Sequence, residues 1–206
     1  VKDKMMIRPI LFALALATAV PAIAGNTLVP PGTPVAVAKS RLTVTPASEW
    51  NRLGARPGRS AETWTLDGDT LNDLTFYGGI ESGKPIIREV SKKQKPLPTF
   101  SSTMLLNDVP ALLEQSYRIA LDTPLVELGT VEPASFGGAK GVHFSYRFTR
   151  PEEDVQRNGE AWATIADGRL YMIAFEAPAL HFFDAAVGAA RSIVATAKLG
   201  PQVSSR

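Results

Sequence analysis

Polar and apolar residues alternate along several short stretches of the chain, and a period of two predicts strands. Arg41–Pro46 has Leu42 and Val44 on one face. Val142, Phe144, Tyr146 and Phe148 alternate with His143, Ser145, Arg147 and Thr149, the pattern of a half-buried strand. Leu125–Val131 reads as a further strand, and Pro85–Val90 as a short extended piece. Ala61–Leu66 and Leu71–Tyr77 flank Asp67-Gly68, while Glu160–Ala166 and Arg169–Glu176 flank Asp167-Gly168. Asp-Gly accepts the positive φ angles of a tight turn, so each pair predicts a hairpin. Pro46–Trp50, Gly78-Gly79 and Gly137-Gly138 read as turns, and Arg56–Arg59 and Pro151–Asn158 as loops.

Two stretches carry the helical period instead. Val109, Leu112, Leu113, Tyr117 and Ala120 form one stripe, with Asn107 or Asp108 as cap, Pro110 in the first turn and Asp122-Thr123-Pro124 as stop. A closing helix starts at Pro178, lines Phe183, Val187, Ala190, Val194 and Ala197 along one face, and ends at Gly200-Pro201. Seven or eight strands, mostly joined by short turns, require antiparallel neighbours. The expected class is therefore α+β: a twisted antiparallel sheet with two amphipathic helices on its faces.

The first residues have a different character. Lys2, Lys4 and Arg8 precede an apolar run from Ile10 to Val20, followed by Pro21 and the small residues Ala22 and Ala24. This is the layout of a cleavable export signal, with cleavage expected between Ala24 and Gly25. The run is shorter than the roughly 20 apolar residues a membrane helix needs, and no later run is longer. The expected organisation is a signal over 1–24, a Pro- and Gly-rich flexible segment over 25–40, one domain over 41–200 and a flexible tail over 201–206. The product is expected outside the cytoplasm, periplasmic or extracellular.

That reading changes the charge argument. The chain of 206 residues has 22 basic and 20 acidic side chains. Without Lys2, Lys4, Arg8 and Asp3 both counts fall to 19. The basic balance belongs to the leader, and nucleic-acid binding loses its electrostatic case. There is no Cys, which excludes disulfides, thiol nucleophiles and Cys metal sites.

Candidate chemistry is sparse, and no residue is assigned a catalytic, cofactor-binding or metal-binding role. There is no Gly-x-Ser-x-Gly sequence. His143 stands mid-strand on a polar face and reads as a solvated or hydrogen-bonded residue. His181, beside Phe182 and Phe183, reads as a packing or capping residue. Asp67, Asp69 and Asp73 are spaced like part of a calcium loop but lack its closing Glu, so turn chemistry is the expectation. Glu152, Glu153 and Asp154 with Glu49 or Glu62 read as solvated acids. Trp50, Trp64, Tyr77, Trp162 and Tyr171 are expected in the core. Lys92, Lys93 and Lys95 are candidate contacts for a partner, although lysines beside Pro96 and Pro98 also serve to keep a strand edge from pairing.

The strand ending at Pro46 with Trp50 shortly after, together with Gly168-Arg-Leu-Tyr-Met-Ile-Ala-Phe-Glu-Ala-Pro178, Phe183 and a helix through Ile193-Val194, resembles the PsbP-like superfamily. The resemblance runs in element order over most of Leu42–Leu199. It implies an α-β-α sandwich around an antiparallel sheet. It implies binding to a larger partner rather than catalysis, and no partner-binding residue carries over. The expected function is an exported, non-enzymatic accessory domain without cofactors, docking to an envelope or periplasmic protein. The alternatives are a small-ligand carrier and a hydrolase with a non-standard site.

Overall fold

The computed structural model describes residues 25–89, 95–151, 153 and 155–201. The expected leader over 1–24, the tail from 202 onward, Lys92 and Lys93 lie outside the described residues. Eleven strands and two helices make up the described chain. The strands are β1 (Thr27–Val29), β2 (Val35–Ala36), β3 (Leu42–Val44), β4 (Trp50–Arg52), β5 (Ala61–Thr65), β6 (Asp73–Ile80), β7 (Val126–Phe136), β8 (Ala139–Thr149), β9 (Gln156–Ala166), β10 (Arg169–Pro178) and β11 (Lys198–Leu199). Helix α1 is Val109–Ala120 and helix α2 is Phe182–Ala195.

Eight strands form one antiparallel sheet in the order β1-β4-β5-β6-β10-β9-β8-β7, and β11-β3-β2 form a small second sheet. The expected class holds: an α+β sandwich with a helix on each side. One apolar layer packs Phe183, Ala186, Val187, Ala190 and Ile193 of α2, and Leu42 and Val44 of β3, against Trp64, Phe76, Ile173 and Phe175 of the large sheet. The other packs Val109, Leu112, Leu113 and Tyr117 of α1 against Phe144, Tyr146, Phe148 and Met172. The middle strands are therefore covered twice. This is why β5 and β10 read as nearly continuous buried runs while β8 alternates.

Several boundaries differ from expectation. The 25–40 segment, expected to be a flexible spacer, supplies β1 and β2, and Val29 and Val37 are buried in the core. Trp50, expected at a turn, opens β4 and pairs with Val29. The Asp167-Gly168 turn has the two positive φ values the sequence requires. The Asp67-Gly68 turn does not: only Gly68 is positive there, and the connection runs from Leu66 to Asn72. Buried Asn72 closes this longer loop. Its Oδ1 accepts from the Leu66 amide (2.7 Å) and the Thr65 hydroxyl (3.0 Å), and its Nδ2 donates to Asp67 (2.7 Å). Those bonds satisfy backbone that a two-residue turn would have paired directly.

Residues 85–89 join no strand. β7 runs on to Phe136 through Pro133, which a ladder tolerates because β7 is an edge strand. β9 already begins at Gln156, inside the expected 151–158 loop. Pro178 ends β10 rather than starting α2, which stops at Ala195 with Thr196 as its cap. Residues 198–199 then pair with β3 as β11, so Gly200-Pro201 terminates a strand and not a helix.

Gly78 of β6 marks where the small sheet presses on the large one. A Cβ there would stand 2.5 Å from Ser40 Oγ and 2.8 Å from Ala38 Cβ. Both belong to the β2–β3 turn, in which Ala38 and Lys39 have positive φ. Gly78→Ala is expected to lower stability by about 1–3 kcal/mol through overpacking, read as a fall in thermal midpoint. An unchanged midpoint would show that the small sheet yields without cost.

Candidate functional site

Residues two apart on a strand share a face. β8 thus places His143, Ser145 and Arg147 on the α2 side of the sheet, and β9 sets Trp162, Glu160 and Asn158 directly opposite them. α2 lies over β10 and β9 and leaves this outer strip uncovered. Two adjoining open clefts result. One, of about 460 Å³, is lined by Glu127, Ser145, Arg147, Asn158, Glu160 and Phe183 among others. The second, of about 570 Å³, has His143, Trp162 and Arg191 on one side and small residues such as Ala134, Gly137, Gly138 and Ala195 around the rest.

The charged groups of this strip are tied to one another. His143 stacks on Trp162 with ring centroids 4.7 Å apart. Its Nδ1 lies 2.8 Å from Glu132 Oε1, and its Nε2 lies 3.4 Å from Glu160 Oε2. Glu160 also takes Nε and Nη2 of Arg191, a two-pronged pair between β9 and α2. Arg147 pairs with Glu127 across to β7. A hydrolytic triad needs a hydroxyl on the second nitrogen of its histidine. Here that nitrogen faces a carboxylate, and the Ser145 hydroxyl accepts from the Thr130 amide at 3.0 Å. The imidazole hydrogen-bonds Glu132 through Nδ1, while its buried Nε2 lies beside Glu160 without a hydrogen bond among the described residues.

A second polar group lies beneath the sheet, on the α1 side. Asp73 of β6 sits directly across from Glu176 of β10. Glu176 Oε1 accepts hydrogen bonds from the hydroxyls of Tyr146 (2.7 Å) and Tyr117. Gly159 makes room: a Cβ there would run into the Tyr146 ring. Asp73 Oδ2 accepts from Arg150 at 3.1 Å, and Arg157, wholly buried, lies 3.9 Å from the same oxygen. Arg157 also donates to the Thr70 carbonyl (2.9 Å) and reaches Glu153. Burial first, and the Glu176 charge second, push the Asp73 carboxyl up to about 7 against the opposing pull of Arg150 and Arg157. The same two causes raise the hydroxyls of Tyr77, Tyr117 and Tyr146 above the ordinary tyrosine range.

The residues singled out in the sequence fall in several places. Trp50, Trp64, Tyr77, Trp162 and Tyr171 are all buried. His143 is the hydrogen-bonded residue of the strip just described. His181 stands at the N-cap position of α2, where its carbonyl accepts from the Ala185 amide; its side chain is exposed, makes no cap bond and meets Phe182 edge-on. Asp67 and Asp69 stand at the β5–β6 turn while Asp73 points into the sheet, so the three do not converge. Glu62 is buried beneath Trp64, Arg52 and Arg56, and Glu49 is exposed elsewhere. Glu153 braces Arg150 and Arg157; Glu152 and Asp154 lie outside the described residues. Lys95 is exposed. No helix among the described residues is long and apolar enough to cross a membrane.

No family model and no curated protein matches the chain. Among solved structures it is similar to the solution structure of the cyanobacterial PsbP protein CyanoP from Synechocystis sp. PCC 6803. The TM-score is 0.52 at 15% identity, over 90% of this chain and 99% of that one. It also aligns with a protein of Bacteroides thetaiotaomicron (TM-score 0.47, 10% identity, 87% of this chain and 50% of that one). LpqN, involved in cell envelope biogenesis of Mycobacterium tuberculosis, aligns with TM-score 0.35 and 10% identity, over 89% and 88% of the two chains; these last two fits are too loose to define a shared fold. The likeness to CyanoP is one of fold alone.

The buried acid pair gives the fold a pH dependence of definite sign. Folded Asp73 keeps its proton up to about pH 7, whereas an ordinary carboxyl loses it near 3.8. The folded state therefore binds more protons in that window, and stability falls as pH rises through it. The contribution is at most roughly 4 kcal/mol. Asp73→Asn is expected to flatten the fall in melting temperature between about pH 5 and about pH 8. A variant with the slope of the parent would remove Asp73 as its source.

Proposed function

We propose that the protein is an exported, non-enzymatic accessory domain of the PsbP-like superfamily that docks to an envelope or periplasmic protein. The observation that carries this reading is the uncovered strip of β7–β9 beside α2. Its charged side chains are already paired with one another, and its clefts are open. Such a surface recognises another surface with little ordering cost, while it presents no nucleophile with a base at its side. The 1–24 leader supports export, and the similarity to CyanoP supports the superfamily. Lys92, Lys93 and Lys95 remain proposed as a secondary contact.

The test is affinity capture, with residues 25–206 as bait and soluble and membrane envelope extracts of the source cells. One stoichiometric, salt-sensitive protein partner is expected. Ala134→Trp, which fills the larger cleft from a surface position, should weaken that capture by about tenfold, the loss of one good contact. No partner in either extract would overturn the reading. A small molecule carried through purification and released by Ala134→Trp would instead make the protein a ligand carrier.

A further inference from the structure

The acid-rich end of the large sheet carries a feature that neither packing nor the cleft uses. At this end β7 begins, β8 ends, β9 begins and β10 ends. Three aliphatic side chains stand exposed there at neighbouring strand termini: Leu125 (57%), Val155 (37%) and Leu180 (74%). Leu125 is tied to the end of β8 by the Thr149 amide. The Ala179 amide donates to Gln156 O at 2.8 Å, which extends the β9–β10 pairing past the strand and brings Leu180 alongside Val155.

The backbone that presents Leu180 is strained. His181 has φ 64 and ψ −52, and the Phe182 amide donates to the Leu180 carbonyl at 2.7 Å. That is a γ-turn of the rare, unfavourable hand, adopted by a residue with a Cβ. Strain of this kind persists only where the surroundings impose it, and it collects at functional positions. Here it turns the chain from β10 into α2 and leaves Leu180 projecting.

The charge around the row is one-sided. Asp67, Asp69, Asp122 and Asp184 stand exposed at this end. The exposed arginines there among the described residues, Arg118 and Arg147, are paired with Glu114 and Glu127. An aliphatic row inside an acidic rim fits a surface with the opposite rim.

The geometry points to this end as the docking face for a cationic amphipathic segment of a partner protein, with Leu180 and Val155 as its apolar anchors and the surrounding aspartates meeting lysine or arginine. This rests on the proposed accessory function and specifies the partner's chemistry.

The test titrates the purified protein with a fluorescent amphipathic peptide of Leu and Lys, and with its Leu and Glu counterpart. The Lys peptide should bind and weaken with salt, and the Glu peptide should not bind. Leu180→Ser with Val155→Ser leaves the charge unchanged and should weaken the Lys peptide by about tenfold, whereas Lys95→Glu should not weaken it. Both serine positions are exposed, so the fold survives, and an unchanged melting curve checks this. Equal binding by the double variant, equal binding of both peptides, or no binding of the Lys peptide would each overturn the assignment. Peptide binding without any envelope partner would sink the accessory reading alone; an envelope partner captured equally well by the double variant would sink the docking face alone.

Discussion

One helix is narrower than the sheet it must cover. Strands lie about 4.8 Å apart and a helix with its side chains is about 10 Å across, so a single helix shields roughly two strands. On one side α2 takes β9 and β10, and the small sheet of β2, β3 and β11 extends the cover toward β5 and β6. Phe136 at the far end of β7 joins this apolar layer and β11 bonds the β7–β8 turn, but among the described residues the rest of β7 and β8 is left open on this side. The open positions are polar: His143, Ser145 and Arg147 on β8, with Glu132 and Glu127 on β7. On the opposite side α1 packs over β7 and β8, so β7 carries Val126 and Leu128 there and β8 carries Phe144, Tyr146 and Phe148. The alternation of β8, the two clefts and the paired charges all follow from this mismatch of widths.

The α1 side has its own difficulty. Its apolar layer contains two carboxyl groups directly across the ladder, Glu176 and Asp73. Like charges directly opposite would be unfavourable, and burying them more so, which is why Asp73 holds its proton. The surroundings offset this with directed groups: two tyrosine hydroxyls on Glu176, two arginines around Asp73, and a glycine at 159 where any side chain would displace Tyr146. The network also has a mechanical effect. Arg150 and Arg157 lie on either side of the β8–β9 connection and reach β6 and the Thr70 carbonyl, so they hold that connection to the β5–β6 turn.

The parts of this picture that sequence shows are those governed by local rules. The stripe on α1, the alternation of β8 and the Asp167-Gly168 hairpin each depend on residues a few positions apart, and each formed as expected. Most of the failures come from long-range pairing. Thr27–Val29 is too short to announce a strand, and it exists because β4 offers it an edge. Lys198 and Leu199 look like a helix end until β3 claims them. Asn72 converts what reads as a two-residue turn into a longer one. The site was less legible still, since Asp73 and Glu176 are 103 positions apart and meet only through the ladder. One signal was present: a lone Glu at 176 within the apolar run from Leu170 to Ala177. A charge in such a run must find partners, and the paired tyrosines were the ones available.

The short connections of an antiparallel sheet also sort charge along it. Every turn lies at one end or the other, so the polar residues that turns require collect at two rims. At one rim stand Asp67, Asp69, Asp122 and Asp184; at the other, Lys39, Lys84, Lys140 and Lys198 stand exposed, while Asp167 and Glu81 are paired with Arg41 and Arg169. A balanced total charge thus conceals a domain with an acidic end and a basic end. Such a polarity costs little in stability, because like charges at each rim are solvated and screened beyond roughly 10 Å. It does orient the domain in any encounter with a charged surface. The acidic end is also where the strained turn holds Leu180 outward and the one nearer the smaller cleft, lined by Arg147, Asn158 and Phe183.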